Sequence, residues 1–158
     1  MNNTCKFSWG VNAILLVVIA AMAYMFIIRG SVSESEDGRT SIMLSAAERD
    51  LVLLEMRGFL EAVEAISIGL ADEDLKAVAK AAHDVGMANA QGVPTALMGK
   101  LPLEFKTLGH ATHAAFDDLS MEAQDMGDGQ EVIRKLGTLL SNCTSCHATF
   151  RFDVEQGK

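Results

Sequence analysis

The sequence has 158 residues, 49% of them apolar, with 13 Lys and Arg against 21 Asp and Glu, a formal net charge of −8. All 21 acidic residues lie after Arg29 with 11 of the basic ones, so the chain beyond that point carries a net charge of −10. So acidic a surface repels phosphates, which excludes nucleic acid as a partner, and no nucleophile, phosphate loop or paired-carboxylate spacing marks an enzyme.

Residues 1–10 lead into an apolar run, Val11 to Ile28, interrupted only by Asn12. Eighteen helical residues rise about 27 Å, close to the hydrocarbon thickness of a bilayer. Residues 11–28 therefore read as a single transmembrane anchor. Trp9 and Tyr24 suit the two interfaces, whereas Lys6 and Arg29 flank the run evenly and give little orientation signal. A cleaved signal peptide is the rival reading, because Ala21-Met22-Ala23 fits a small-residue cleavage pattern. Tyr24-Met25-Phe26-Ile27-Ile28 favours the anchor, since it carries the apolar run past the length of a signal core. Cys5 precedes the run and reads as a reduced thiol without a role.

Residues 29–44 turn to Gly, Ser, Glu, Asp and Thr, the composition of a flexible linker. Its central dozen residues reach at most about 40 Å, enough for the following domain to swing above the membrane.

Residues 45–158 divide into four helical patterns. The first opens at Ser45-Ala46-Ala47-Glu48, a capping box, and runs to about Ala71. Its stripe of Val52, Met56, Phe59, Val63, Ile66 and Leu70 alternates steps of four and three, as a bundle seam requires. The second follows Asp72 and runs to about Ala90, with Leu75, Val78, Ala82 and Val85 inward, and Gly92-Val93-Pro94 ends it. Pro102 suits the opening of the third, whose inward residues are Phe105, Leu108, Thr112, Phe116 and Leu119. Its His110 and His113 stand three residues apart but off the main stripe, and no carboxylate pattern completes a metal site. They and His83 read as exposed or partly packed. The fourth begins at Asp128-Gly129-Gln130-Glu131, a second capping-box pattern, and continues to about Phe152. Val132, Leu136, Leu139, Cys143, Cys146 and Phe150 form its stripe. With no hairpin signal read in competition, the expected fold is all-α, a four-helix bundle preceded by one N-terminal transmembrane helix.

The last pattern contains Cys143-Thr144-Ser145-Cys146-His147. CxxCH is the spacing that attaches a c-type haem covalently. The two thiols form thioethers with the haem vinyl groups, and their i, i+3 spacing puts both on one helix face. His147 follows at once as the proximal iron ligand. A redox disulfide needs no adjacent His, and a zinc site needs more ligands than lie nearby. The expected cofactor is one covalent haem c, and the expected activity is single-electron transfer with redox partner proteins in the periplasm or inner membrane. Haem c is attached outside the bacterial cytoplasmic membrane, which places the C-terminal domain in the periplasm and residues 1–10 in the cytoplasm. A haem adds a large apolar body to a small core, so the domain without it is expected to be poorly ordered.

A CxxCH on the last helix, followed by Ala148-Thr149-Phe150-Arg151, resembles cytochrome c′ and its Met-ligated low-spin relatives, over about Ser45 to Phe152. The resemblance implies a four-helix bundle whose distal haem face is covered by the first bundle helix. Arg49-Asp50-Leu51-Val52-Leu53-Leu54-Glu55-Met56 is similar to the family's Arg-x-x-x-Leu-x-x-Met pattern there. By that similarity Leu53 packs over a vacant iron site, while Met56 is the candidate distal ligand of a low-spin protein. Met43 or a histidine remains as a further choice. Arg151, one turn past His147, is within reach of a haem propionate, a role the resemblance also implies. Family members commonly form homodimers, which the first bundle helix could support here. Met ligation favours electron transfer; an open iron favours binding of NO or CO.

Overall fold

A computed structural model describes residues 3–125 and 127–155, with side chains from Ser8 onward apart from Gln91. The thiol of Cys5 therefore lies outside the described residues. The chain is mostly helical. Six α-helices are described: α1 (Asn3–Ala23), α2 (Ala46–Ala71), α3 (Leu75–His83), α4 (Thr95–Lys100), α5 (Leu103–Asp125) and α6 (Gly129–Thr149). Three strands complete the fold: β1 (Val32–Glu34), β2 (Thr40–Leu44) and β3 (Phe150–Val154).

α1 continues through a π-helical turn, Tyr24–Arg29, and Ser8–Arg29 is long and apolar enough to cross a membrane, with none of it buried in the protein. The turn ends at Gly30, whose φ of +66° lies in the left-handed region that glycine tolerates. A Cβ at this position would overlap the Lys100 carbonyl. From there the apolar helix is fastened to the rest of the protein. Ser31 N–H donates to Lys100 O at 2.7 Å, and Lys106 Nζ donates to the carbonyls of Phe26 (3.3 Å) and Ile27 (3.1 Å), capping the orphan end of the helix.

Residues 29–44, expected as a flexible linker, instead hold a hairpin. β1 and β2 pair antiparallel around a turn containing Asp37 and Gly38, and Gly38 takes the positive φ (+80°). β3 then pairs parallel with β2, Thr40 opposite Phe150 through Leu44 opposite Val154, giving the order β1-β2-β3. Thr40, Ile42, Phe150 and Phe152 supply the β-branched and aromatic side chains that suit a sheet. The last helix consequently ends at Thr149, not at Phe152, because Phe150 leaves it to enter the sheet.

α2 matches the expected first bundle helix. Ser45 Oγ accepts from Glu48 N–H while the Glu48 carboxylate accepts from Ser45 N–H, so the capping box is complete. At α6 the expected box does not form: Asp128 caps the helix by accepting from Gln130 N–H, the second residue of the first turn, instead of from Glu131. The second predicted helix stops at His83, well short of Ala90. There Asp117 accepts the Met87 N–H at 2.9 Å and leaves no room for a Cβ on Gly86, so the chain turns away along α5.

Two apolar clusters form the core. Phe116, Leu119, Ile66, Val78, Val132 and Leu139 centre the first, between α2, α3, α5 and α6. Ile42, Leu44, Leu97, Leu101, Phe105 and Phe150 centre the second, between the sheet, α4 and the start of α5. Phe105 meets Phe150 and Phe152 edge-on at 5.6 and 5.5 Å, which ties α5 to β3.

Candidate functional site

The last two turns of α6 bridge the two cores. Cys143 packs against the helical cluster and Cys146 against the sheet-side one, each half-buried. Their i, i+3 spacing brings both thiols to one face, with the exposed His147 beside them. All three line one cleft of about 640 Å³. Its opposite walls are α2, through Leu53, Met56, Phe59, Leu60 and Val63, and α5, through Phe105, Leu108 and Thr112. The lining is almost wholly apolar. Thr112 spends its hydroxyl on Leu108 O at 2.8 Å, so it adds little polarity.

Leu53 and Met56, the two residues expected to compete for the distal face, both line this cleft. Met43 does not; it sits on β2, its sulfur near the Ser33 and Ser41 hydroxyls. Arg151 is also absent from the lining. Because the helix has ended, Arg151 rides on β3 with its guanidinium paired to Asp37 at 3.2 Å and Asp153 at 2.9 Å. Its expected approach to the cleft depended on one more helical turn. The cation that does line the cleft is Arg57, one residue past Met56 and exposed at the rim.

Burial pushes both thiols above the usual cysteine range. Cys146 is pushed up to about 11, by burial first and the neighbouring Cys143 second. Cys143 is raised by burial. Both are therefore neutral thiols at pH 7, whereas a thiol–disulfide exchanger needs a lowered pKa. Among the described residues, no three His, Cys, Asp or Glu side chains converge as a metal site.

The hairpin turn holds the end of α6 in place. Arg39 donates to the carbonyls of His147 (3.4 Å) and Phe150 (3.5 Å) while paired to Asp37 at 2.6 Å. A cation on the last carbonyls of a helix also suits its dipole.

His113, expected as exposed or partly packed, is buried. Its Nδ1 lies 2.8 Å from Val85 O and its Nε2 3.2 Å from Glu55 Oε1, and Phe59 meets the ring edge-on at 4.9 Å. Burial works against a charged imidazole here, but Glu55 and the Val85 carbonyl outweigh it and raise the pKa. The seam spacing missed this residue because its partners, Glu55 and Phe59 of α2 and the Val85 carbonyl past the end of α3, lie beside the apolar stripe of α5 and not along it. His110 and His83 are exposed, and among the described residues no third ligating side chain joins His110 and His113 to make a metal site.

No protein-family model, curated protein or solved structure matches this chain.

Proposed function

We propose that the chain is a membrane-anchored monohaem c-type cytochrome that carries single electrons, with the haem held in the cleft between α2, α5 and α6. One observation carries the reading: Cys143, Cys146 and His147 open onto the same apolar cleft whose far wall presents Met56 and Leu53. The donor set fits the group. Two neutral thiols on one helix face are disposed to form thioethers, and an accessible imidazole stands beside them as proximal ligand. A volume of about 640 Å³ falls within the ordinary range of small-molecule and cofactor sites. Bound there, haem iron supplies reversible one-electron chemistry; the chain's own part is ligation, burial and charge.

The apolar walls of α2 and α5 exclude water from the group, which favours a stable potential. Arg57 at the rim is placed to meet a propionate, in the role first assigned to Arg151. The four-helix arrangement implied by the resemblance to cytochrome c′ belongs to this proposal, with α2, α3, α5 and α6 as its helices. So does the location: α1 in the bacterial inner membrane, the remainder in the periplasm, and soluble or membrane-bound redox proteins as partners.

A second reading has a specific observation in its favour. Leu53 lines the cleft one turn before Met56, and an apolar side chain over the iron would leave a coordination position free for NO or CO. Optical spectra of the purified full chain, with and without CO, separate the two. Met56 ligation predicts a ferric band near ~695 nm, lost in Met56→Ala, and no response of the reduced protein to CO. A reduced spectrum that shifts with CO would reverse the choice in favour of Leu53 and gas binding.

A further inference from the structure

A second cavity, of about 740 Å³, lies on the other side of α2, between that helix, α4 and α5. The thiol-lined cleft does not use it, although Arg57, Phe105 and Gly109 line both. Three features restrict what it could take.

The first is position. Lys106, on the cavity wall, is the residue that caps the Phe26 and Ile27 carbonyls at the end of the apolar N-terminal helix. The α4 residues on the same wall, Leu97 and Met98, adjoin Gly99, which Phe26 abuts. The rim therefore adjoins the point where that helix would leave the bilayer. A molecule arriving from the membrane need not cross bulk water. The second is an apolar, polarisable lining. Met87, Met98 and Phe105 suit an aromatic ring, which thioether sulfur contacts favourably. The third is one oriented acceptor. Glu55 lines the cavity and His113 holds its Oε1 from behind at 3.2 Å, with the imidazole fixed in turn by Val85 O. Lys106 already serves two carbonyls and Arg57 is shared with the rim of the thiol-lined cleft, which leaves Glu55 as the acceptor on this wall that a fixed partner holds in place. A plain acyl chain would offer Glu55 no donor beyond His113, whereas a hydroxyl carried on an apolar ring would add one.

We propose that this cavity binds a membrane-soluble hydroquinone, its ring among the methionines and Phe105 and one ring hydroxyl donating to Glu55. The size suits a single substituted ring with the start of its tail. The inference rests on the membrane placement of α1 and not on the presence of haem.

The test is calorimetric titration of the full chain, reconstituted in zwitterionic phospholipid nanodiscs without oxygen, with a short-chain alkyl benzohydroquinone. Empty nanodiscs give the blank for partition. The expected result is saturable one-to-one binding, weakened about tenfold or more by Glu55→Gln, since a hydrogen bond to a charged acceptor is lost. The di-O-methyl ether of the same ring, which has no hydroxyl to donate, should bind at least as weakly as that. Met98→Trp, at an exposed wall position, should also block binding and leaves the Glu55–His113 pair unchanged. The same titration on the Cys143→Ala/Cys146→Ala protein separates this site from the haem reading: binding persists there whether or not haem is attached to the parent. Heats equal to the blank would overturn the proposal. So would equal affinity for the methylated ring, or affinity unchanged in both Glu55→Gln and Met98→Trp.

Discussion

The two cores that meet at the thiol-lined cleft are built over different distances in the chain. The helical cluster gathers regularly spaced residues of α2, α3, α5 and α6, each presented by its own helix period. The sheet-side cluster instead joins Ile42 and Leu44 to Phe150 through a parallel strand pairing across more than a hundred residues. α6 belongs to both: Cys143 packs on the first cluster and Cys146 on the second. The placement of the thiols thus depends on a helical packing that is locally encoded and on a strand that must arrive from the far end of the chain.

Substitutions on the two sides should separate these contributions. Phe116 is fully buried in the helical cluster and stacks on Phe59 at 5.4 Å. Phe116→Ala should cost about 3–5 kcal/mol of global stability, read from the midpoint of denaturant unfolding at an unchanged slope. Ile42 is equally buried on the sheet side, and Ile42→Ala should cost about 2–5 kcal/mol. Its distinguishing effect is local. Proteolysis should open the β2–β3 pairing and the last turn of α6 sooner in Ile42→Ala than in Phe116→Ala of equal stability. If both variants open at the same sites in the same order, the two clusters are one cooperative unit and the contrast fails.

A smaller effect tests the junction between the sheet side and α2. Glu48 closes the capping box and accepts from Lys100 Nζ at 2.7 Å, and Lys100 also reaches Glu155 at 3.0 Å. These bonds, led by the one from Lys100, lower the Glu48 carboxyl from 4.5 to about 2. A carboxylate depressed in the folded state contributes stability present above its unfolded pKa and lost as pH falls through the folded one. Wild-type stability should therefore decline between about pH 4.5 and 2 more steeply than that of Glu48→Gln. Parallel declines in the two proteins would mean that the bonds holding the Glu48 carboxylate contribute nothing measurable.

The helical half was legible because its signals are long and redundant: a capping box at Ser45, a stripe along α2, and Asp128 before α6. CxxCH, Leu53 and Met56 were legible as chemistry, and the structure collects them around one cleft. The sheet was readable only in hindsight. Phe150-Arg151-Phe152-Asp153-Val154 alternates apolar and polar residues, and Asp37-Gly38 is a hairpin dipeptide. Five residues of period two were outweighed by the helical stripe running into them, and a polar hairpin resembles a linker until its partner strand is known. Arg151 was misplaced for the same reason. His113 was missed because what buries it, Glu55 and Phe59 of α2 and the Val85 carbonyl, lies off the apolar stripe that the spacing traced.

The most direct test of the central claim is the intact mass of the full chain exported to the periplasm of a bacterium that matures c-type cytochromes. The account predicts wild-type protein heavier by one haem, retained under denaturing conditions, and a Cys143→Ala/Cys146→Ala protein at the mass of the polypeptide alone. Wild-type protein at polypeptide mass, with both thiols free to alkylating reagent, would contradict it.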